Sequence, residues 1–314
     1  MDTEVGSEPS RSHRREGTIV ALCLFGLLLI GTALEFSRER QSVADVGERA
    51  GPMLGESLDL GGRVDNLVSD GVSPTSGIWS VESSEAATTV GPRFPRRGPA
   101  VRLNTPGGSP DAVDIATCPK QTGVCAFLIR ASRDGRLSVD VRRTSGGPRI
   151  ELLRTARLPR PADSQRTLQV GRWSGDRADL FVIDRDLPDG TMRVRVLSGE
   201  SDFKSSLLDV VVPQREGFDR RSWALDLVDV TGSGRSDLVF TTRFAATGTG
   251  QTEVHVLDAR ANYSRYLFQL LTDLDAAEAS GRRFLTVLRR RQPLWVPIDA
   301  RTGRARAYLL AAPR

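Results

Sequence analysis

The sequence contains very little histidine, cysteine and lysine. Its 314 residues include two histidines, three cysteines and 44 basic residues, of which only Lys120 and Lys204 are lysine. Two histidines cannot build a histidine-rich metal centre, and three cysteines can build neither a disulfide scaffold nor a four-cysteine zinc site. The H-E-x-x-H, G-x-S-x-G and phosphate-loop motifs are also missing. Carboxylates are therefore the remaining candidates for catalytic groups.

Long apolar stretches are equally scarce. The one long apolar run comprises residues 18–34 and contains no charged residue. As a helix this segment is about 25 Å long, close to the thickness of a bilayer core. We expect a cytoplasmic head at 1–17, a transmembrane signal anchor at 18–36, and a single-pass cell-membrane protein with the bulk of the chain outside the cytoplasm. A cleaved signal peptide and a secreted product are the alternative, because 31–33 offers small residues at cleavage positions.

Two regions follow the apolar segment. Residues 37–76 are rich in Gly, Ser, Asp and Glu, contain few aromatic residues and show no sustained period, which predicts a stalk or linker. Residues 77–314 alternate between short apolar runs and glycine-containing turns. We expect this second region to be an extracytoplasmic all-β domain.

A repeated unit organises the second region. A short apolar run, a glycine turn and an alternating run occur four times, and the first strands of these hairpins begin at residues 127, 180, 238 and 294. A further apolar run precedes each hairpin, and another follows the first three. Four strands per repeat at this spacing predict a small β-propeller of about four antiparallel, four-stranded blades.

The fourth repeat lacks its outermost strand, and an open sheet edge invites pairing with other chains. We expect an N-terminal strand, at 78–81 or 100–103, to complete it. An arc completed by a second chain, and therefore an oligomer, is the alternative.

Two connections between first and second strands share a motif. Residues 228–238 read VDVTGSGRSDL and residues 170–180 read VGRWSGDRADL. Both resemble the FG-GAP (VCBS-type) repeat of integrin-like β-propellers, whose fuller form is GDWDGDGRADL. The earlier copy lacks one glycine and has Arg172 and Ser174 where the family usually has acids.

The resemblance implies a calcium loop, because repeats of this family often bind calcium through oxygens at alternate positions. Calcium prefers six to eight oxygen ligands. The positions that match are Asp229, Thr231, Ser233 and Asp237 in one copy, and Asp176 and Asp179 in the other. Few of these are carboxylates, so the alternative is a metal-free turn in which the same side chains bond backbone amides. No other cofactor is indicated.

Cys118 and Cys125 lie between the first and second strands of the first repeat, where the other repeats carry the motif. In an exported protein they are expected to form a disulfide.

The net charge of +5 and the excess of arginine raise the question of an anionic partner. Five arginines cluster late in the chain and form either a surface for an anionic polymer or a solvated edge: Arg282, Arg283, Arg289, Arg290 and Arg291. No basic motif with interleaved aromatic residues is present, so nucleic-acid binding is not expected.

These observations favour a membrane-anchored, non-catalytic binding or assembly module at the cell envelope, with an unidentified envelope protein or polymer as partner. The alternative is an envelope enzyme, a hydrolase or lyase, that acts on a glycan or other polymer through turn carboxylates.

Overall fold

The computed structural model describes most of residues 57–310. The described residues are 57–60, 67–69, 77–94, 98–105, 108–119, 122–161, 164–174, 177–187, 190–213, 223–242, 251–275, 281–289 and 292–310. All of them belong to the unit Ala50–Arg314, one of two units into which the chain divides.

Five antiparallel sheets form five propeller blades. Blade 1 contains β2 (Leu67–Ser69), β3 (Ile78–Ser83), β4 (Ala87–Phe94) and β5 (Val101–Asn104). Blade 2 contains β6 (Ala112–Thr117), β7 (Val124–Ala131), β8 (Leu137–Arg143) and β9 (Arg149–Arg154). Blade 3 contains β10 (Gln165–Gly171), β11 (Asp179–Arg185), β12 (Thr191–Leu197) and β13 (Ser206–Pro213).

Blade 4 contains β14 (Trp223–Val228), β15 (Asp237–Thr242), β16 (Gln251–Leu257) and β17 (Tyr266–Asp275), with a short 3-10 helix at Ala259–Ala261. Blade 5 contains β18 (Arg282–Arg289), β19 (Gln292–Asp299), β20 (Arg304–Arg306) and β21 (Tyr308–Leu309), and its last strand is β1 (Ser57–Asp59). The innermost strands β2, β6, β10, β14 and β18 contact one another in cyclic order, so the ring is closed within one chain.

The prediction of a four-stranded antiparallel propeller is confirmed, but the number of blades is five rather than four. The missed blade is blade 1. Its central hairpin joins β3 to β4 through residues 84–86, which contain no glycine, so the pattern that marks the other hairpins is missing there.

An N-terminal strand completes the last blade, as predicted, but it is not one of the two strands that were expected. Ser57–Asp59 pairs antiparallel with Arg304–Arg306, in the register Ser57 to Arg306. The two segments expected to close it, 78–81 and 100–103, belong instead to β3 and β5 of blade 1. Strands β1 and β2 lie within the range 37–76 for which a stalk was expected.

The cores of the propeller lie between adjacent blades. The second strands of blades 2 to 5 are buried on both faces over most of their length, and β15 is buried at every residue. Between blades 3 and 4, for example, Phe181 and Ile183 pack with Leu238 and Phe240. Each such side chain contributes about 1.5–3 kcal/mol when it leaves water. Clusters of this kind separate each of the five pairs of neighbouring blades.

Carboxylates on the innermost strands also join neighbouring blades. Asp114 of blade 2 accepts the backbone N–H of Val170 in blade 3 at 2.6 Å. Asp226 of blade 4 accepts the backbone N–H of Thr286 in blade 5 at 2.5 Å. These two acidic side chains therefore hold successive blades in register.

The predicted cytoplasmic head and transmembrane anchor lie outside the described residues. Among the residues that are described, no helix is long and apolar enough to cross a membrane.

Candidate functional site

The antiparallel order of the strands gives the ring two faces with different loops. Connections between the first and second strands of a blade lie on one face, here called the motif face, which includes residues 118–123, 172–178 and 229–236. Connections between the second and third strands, and those between blades, lie on the other. That second face is called the cleft face and includes residues 132–136 and 155–164.

On the motif face, Asp179 begins β11 and its side chain is fully buried. Its carboxylate accepts the backbone N–H groups of Trp173 at 2.8 Å, Ser174 at 2.9 Å and Gly199 at 2.9 Å. Any side chain at Gly199 would collide with the carbonyl oxygen of Ala178, so only glycine brings this N–H close enough. Asp179 therefore holds the 172–178 loop against the connection after β12.

Asp237 occupies the same place in blade 4 and is also fully buried. It accepts the backbone N–H groups of Val230 at 2.9 Å, Thr231 at 3.2 Å and Ala259 at 2.8 Å. The two copies of the motif thus place an aspartate in the same network of three backbone amides.

Burial dominates the electrostatics of both carboxyls. It raises the pKa of Asp237 from the ordinary 3.8 to about 6, and the three backbone N–H groups oppose the rise only in part. Burial raises the pKa of Asp179 as well. A carboxyl that is fully buried and accepts three backbone amides is a structural group rather than one available to a substrate.

The remaining candidate calcium ligands of the later copy bond within their own turn. Asp229 accepts the backbone N–H groups of Ser233 at 2.9 Å and Gly234 at 2.8 Å, and the Thr231 hydroxyl lies 3.4 Å from it. The Ser233 hydroxyl accepts the backbone N–H of Arg235 at 3.2 Å. These are the bonds of the metal-free turn given above as the alternative to calcium.

In the earlier copy, Asp176 lies outside the described residues. Within the described ranges, no group of three or more His, Cys, Asp or Glu side chains is arranged to hold a metal ion.

The two motif loops are joined to each other. The backbone N–H of Ser236 donates to the Arg172 carbonyl at 2.7 Å, and the Arg172 N–H donates to the Ser236 hydroxyl at 2.9 Å. Tyr263 donates its hydroxyl to the Ser236 carbonyl at 2.7 Å and packs against Trp173, with ring centroids 5.5 Å apart. The guanidinium of Arg235 lies 4.8 Å from the Trp173 ring. The residues that resemble the motif therefore fasten blade 3 to blade 4.

The predicted disulfide is confirmed. Cys118 and Cys125 are bonded, with their Cα atoms 4.9 Å apart, in the connection between β6 and β7. In blade 2 a covalent bond therefore closes the loop between the first and second strands. In blades 3 and 4 an aspartate holds the equivalent loop by hydrogen bonds.

The predicted arginine patch is divided by the structure. Arg282 and Arg283 are the first residues of β18, on the cleft face, whereas Arg289 is its last residue, on the motif face. A strand rises about 3.3 Å per residue, so Arg283 and Arg289 lie about 20 Å apart along it. Arg290 and Arg291 lie outside the described residues.

A cleft of about 620 Å³ lies between blades 2 and 3 on the cleft face. This volume falls within the range of small-molecule sites. Three segments form it: the start of β6, the turn from β7 to β8, and the connection from β9 into β10. Its lining is Asp111, Ala112, Ala131, Ser132, Arg133, Asp134, Gly135, Leu137, Arg157, Leu158, Pro159, Arg160, Arg166 and Leu168.

Arg166 anchors the blade 3 side of the cleft. It donates to both oxygens of the fully buried Asp184, at 2.7 and 2.9 Å, and Arg195 donates to the same carboxylate at 2.5 Å. The Arg166 guanidinium also donates to the carbonyls of Leu158 at 2.9 Å and Pro159 at 3.1 Å. Its donors are therefore occupied, and its role is to position the connection between the blades.

The turn on the blade 2 side carries an exposed carboxylate. Asp134 accepts the Ser132 hydroxyl and the backbone N–H of Arg136, the latter at 3.1 Å. The Ser132 hydroxyl, and after it the Arg136 N–H, lower the pKa of Asp134 below the ordinary 3.8. This carboxylate is therefore ionised at neutral pH.

Asp111 is the second carboxylate in the lining, just before β6. It accepts the backbone N–H of Ala131 at 2.6 Å, and its own N–H donates to the Ile129 carbonyl at 2.9 Å. These bonds hold Asp111 beside the end of β7, from which the turn that carries Asp134 begins.

Three further arginines line the cleft, and two of them have no partner in the part of the chain that the structure describes. Arg160 donates to the Ser164 carbonyl, with its Nε at 3.0 Å. Arg133 and Arg157 are exposed and form no hydrogen bond or ion pair with any other described residue. Their guanidinium groups are therefore available to a ligand.

The sequence analysis did not find this cleft. The antiparallel order of strands in a blade would have placed the 132–136 turn and the 155–164 connection on one face. How closely the two approach depends on the packing of blade 2 against blade 3, and no local pattern carries that information.

Comparisons with known proteins bear on the fold. No family model matches the chain, and no curated protein matches it. Among solved structures, an exo-beta-1,3-galactanase from Phanerochaete chrysosporium matches at 9% identity and TM-score 0.46, over 81% of this chain. This chain spans 64% of that galactanase. A GH43_1 enzyme from Xanthomonas citri matches at 13% identity and TM-score 0.45, over 86% of this chain and 92% of that one. At such identities the similarity concerns the fold and assigns neither a substrate nor catalytic residues.

These comparisons correct the functional prediction. The sequence analysis predicted a non-catalytic binding or assembly module and no enzymatic activity. The matched structures are instead enzymes such as galactanases and a galactosidase, and this finding contradicts the prediction.

Proposed function

We propose that the protein is an enzyme that acts on a glycan, and that the cleft between blades 2 and 3 is its substrate site. One observation carries the proposal: a single cleft is lined by two carboxylates, Asp111 and Asp134, and by two guanidinium groups, of Arg133 and Arg157, that have no partner among the described residues. Saccharides are bound through many hydrogen bonds, and cleavage of a glycosidic bond requires a pair of carboxyl groups in most enzymes of this kind.

The two carboxylates have different roles in this proposal. Asp134 has a lowered pKa and remains ionised, so it is assigned as the base or nucleophile. Asp111, the other carboxyl of the lining, is assigned as the second member of the carboxyl pair. The turn carboxylates of the motif face take no part, because Asp179 and Asp237 are fully buried, whereas Asp111 and Asp134 are exposed.

Turnover of an oligosaccharide library by the full chain, with release of reducing ends or unsaturated products as readout, tests the proposal. Asp111→Asn and Asp134→Asn should each lower kcat by about a hundredfold or more, since acid–base groups contribute on the order of 10²–10⁴. Asp209→Asn is the matched control, because Asp209 is a partly exposed carboxylate of β13 that pairs with Arg193 at 2.6 Å, outside the cleft lining.

Circular dichroism and thermal melting of each variant separate loss of activity from loss of folding. Unchanged turnover in both cleft variants, with all three variants folded, would refute the assignment of the cleft as the active site.

We further propose that the propeller is displayed outside the cytoplasm by the 18–36 segment as a membrane anchor. Two observations support this location: the uncharged apolar run itself and the Cys118–Cys125 disulfide, because disulfides persist in oxidising compartments.

We also propose that blades 3 and 4 are degenerate FG-GAP-type repeats. The support is that Asp179 and Asp237 begin equivalent strands and accept equivalent sets of three backbone amides.

A further inference from the structure

We propose that the substrate is an acidic glycan, one that carries carboxylate or sulfate groups, and that Arg133 and Arg157 bind those groups. This inference rests on the proposed function and specifies its substrate class. Both arginines line the cleft, and neither has a partner among the described residues.

The charges within the cleft favour an anion. Of its four arginines, Arg166 is neutralised by Asp184, and the donors of Arg160 are directed to the Ser164 carbonyl. Asp134 is paired with Arg136 at 3.4 Å, which weakens its repulsion of an anionic ligand. Within the part of the chain that the structure describes, the guanidinium groups of Arg133 and Arg157 have neither a counter-ion nor a hydrogen-bond partner, and a bound anion would supply one.

The exposed charged side chains around the cleft are also mostly positive. In the described part of 111–161, the exposed acidic residues are Asp111 and Asp134. The exposed arginines that this segment places on the cleft face outnumber them and are Arg133, Arg136, Arg154, Arg157 and Arg160. Charges of one sign in and around a cleft concentrate ligands of the opposite sign and speed their association.

The chemistry of guanidinium narrows the ligand to oxyanions. Its planar fork donates two parallel hydrogen bonds, and carboxylate and sulfate oxygens match that geometry. Arg133 lies in the turn of blade 2 and Arg157 in the connection to blade 3, so the two cations approach the cleft from separate segments. A saccharide with an acidic substituent supplies oxyanions for these cations and hydroxyl groups for the other polar atoms of the lining.

Binding of defined oligosaccharides to the full chain, measured by calorimetry, tests the inference. The probes are an oligogalacturonate for carboxylate, a sulfated oligosaccharide for sulfate ester, and a neutral cello-oligosaccharide of the same length. We expect the preferred acidic probe to bind at least about tenfold more tightly than the neutral one, because a hydrogen bond to a charged group is worth roughly 1.4 kcal/mol or more. Added salt should weaken this binding, since exposed charges are screened.

Three variants locate the anion. Arg133→Gln and Arg157→Gln should each weaken binding of the acidic probe by about tenfold and leave binding of the neutral probe unchanged. Arg283→Gln is the control, because Arg283 is exposed on the same face of the ring, at the start of β18. Binding that survives both cleft substitutions, or that is lost with Arg283→Gln instead, overturns the assignment.

The outcomes also separate this inference from the proposed function. Equal binding and turnover of acidic and neutral probes would overturn the acidic substrate while the glycan-active enzyme stands. Binding of the acidic probe through Arg133 and Arg157 without turnover of any probe would support the anion site and overturn the enzyme.

Discussion

Replacing Asp237 with asparagine should change the stability of the propeller by an amount that depends on pH. The side chain is fully buried, and burial raises its pKa from 3.8 to about 6. Between these two pH values the native state therefore binds more protons than the unfolded state. The contribution of Asp237 to the free energy of unfolding is fully present below pH 3.8 and is lost as the pH rises through about 6.

The magnitude follows from the same pKa. A rise from 3.8 to about 6 corresponds to about 3 kcal/mol, whereas asparagine does not titrate. The difference in unfolding free energy between the wild type and Asp237→Asn should therefore decrease by up to about 3 kcal/mol as the pH rises across this range. A separate cost of about 1–3 kcal/mol does not depend on pH, because the asparagine NH₂ group would face the N–H of Ala259 or those of Val230 and Thr231.

Urea unfolding of the wild type and Asp237→Asn, repeated from pH 3.5 to 8 and followed by tryptophan fluorescence, measures the difference. Asp299→Asn is the matched control, because Asp299 also accepts backbone N–H groups, of Arg301 at 2.9 Å and Thr302 at 3.0 Å, but has a lowered pKa. The contribution of Asp299 to the free energy of unfolding should be lost as the pH falls, whereas that of Asp237 is lost as the pH rises. If the advantage of the wild type over Asp237→Asn grew with rising pH, the backbone amides would outweigh burial and the argument would be wrong.

Two further predictions concern the disulfide and the closing strand. The double variant Cys118→Ser with Cys125→Ser should lose about 2–3 kcal/mol of unfolding free energy relative to the oxidised protein, as the loop-entropy relation gives for so short a loop; an equal urea midpoint with an unchanged slope would contradict this. Leu60 follows β1 and is fully buried between blades 5 and 1. Leu60→Ala should therefore lower the free energy of unfolding by about 2–5 kcal/mol. Val211→Ala is its control, since Val211 is 56% exposed and should change stability by no more than about 0.5 kcal/mol; similar losses in the two variants would show that β1 does not close the ring.

The sequence was most informative where the signal is local. A hairpin is encoded by two alternating runs and a glycine turn, all within about twenty residues, and this pattern located blades 2 to 5. Blade 1 was missed because the turn at 84–86 contains no glycine and β2 is three residues long. The disulfide was found for the same local reason, since Cys118 and Cys125 flank one short loop.

The candidate site was predicted less well because its parts are distant in the sequence. The motif indicated Asp179 and Asp237 as candidate calcium ligands, but the partners of their carboxylates, Gly199 and Ala259, come from later connections that only the folded blades bring near. The five arginines of the predicted patch are adjacent in sequence, yet a strand separates Arg283 from Arg289. Sequence proximity is thus a poor guide to the charge of a surface built from strands.

By itself the sequence determined an all-β chain of antiparallel hairpins, the position of a disulfide, and the loops that begin with the motif, because periodicity and turn chemistry act over a few residues. Only the tertiary structure decided that five blades close the ring, that Ser57–Asp59 pairs with Arg304–Arg306, and that a cleft lined by four arginines opens between blades 2 and 3. The physical reason is that ring closure depends on how many blades pack around one axis. Both the closing pair and the cleft are contacts between segments that the chain brings together only after that packing is complete.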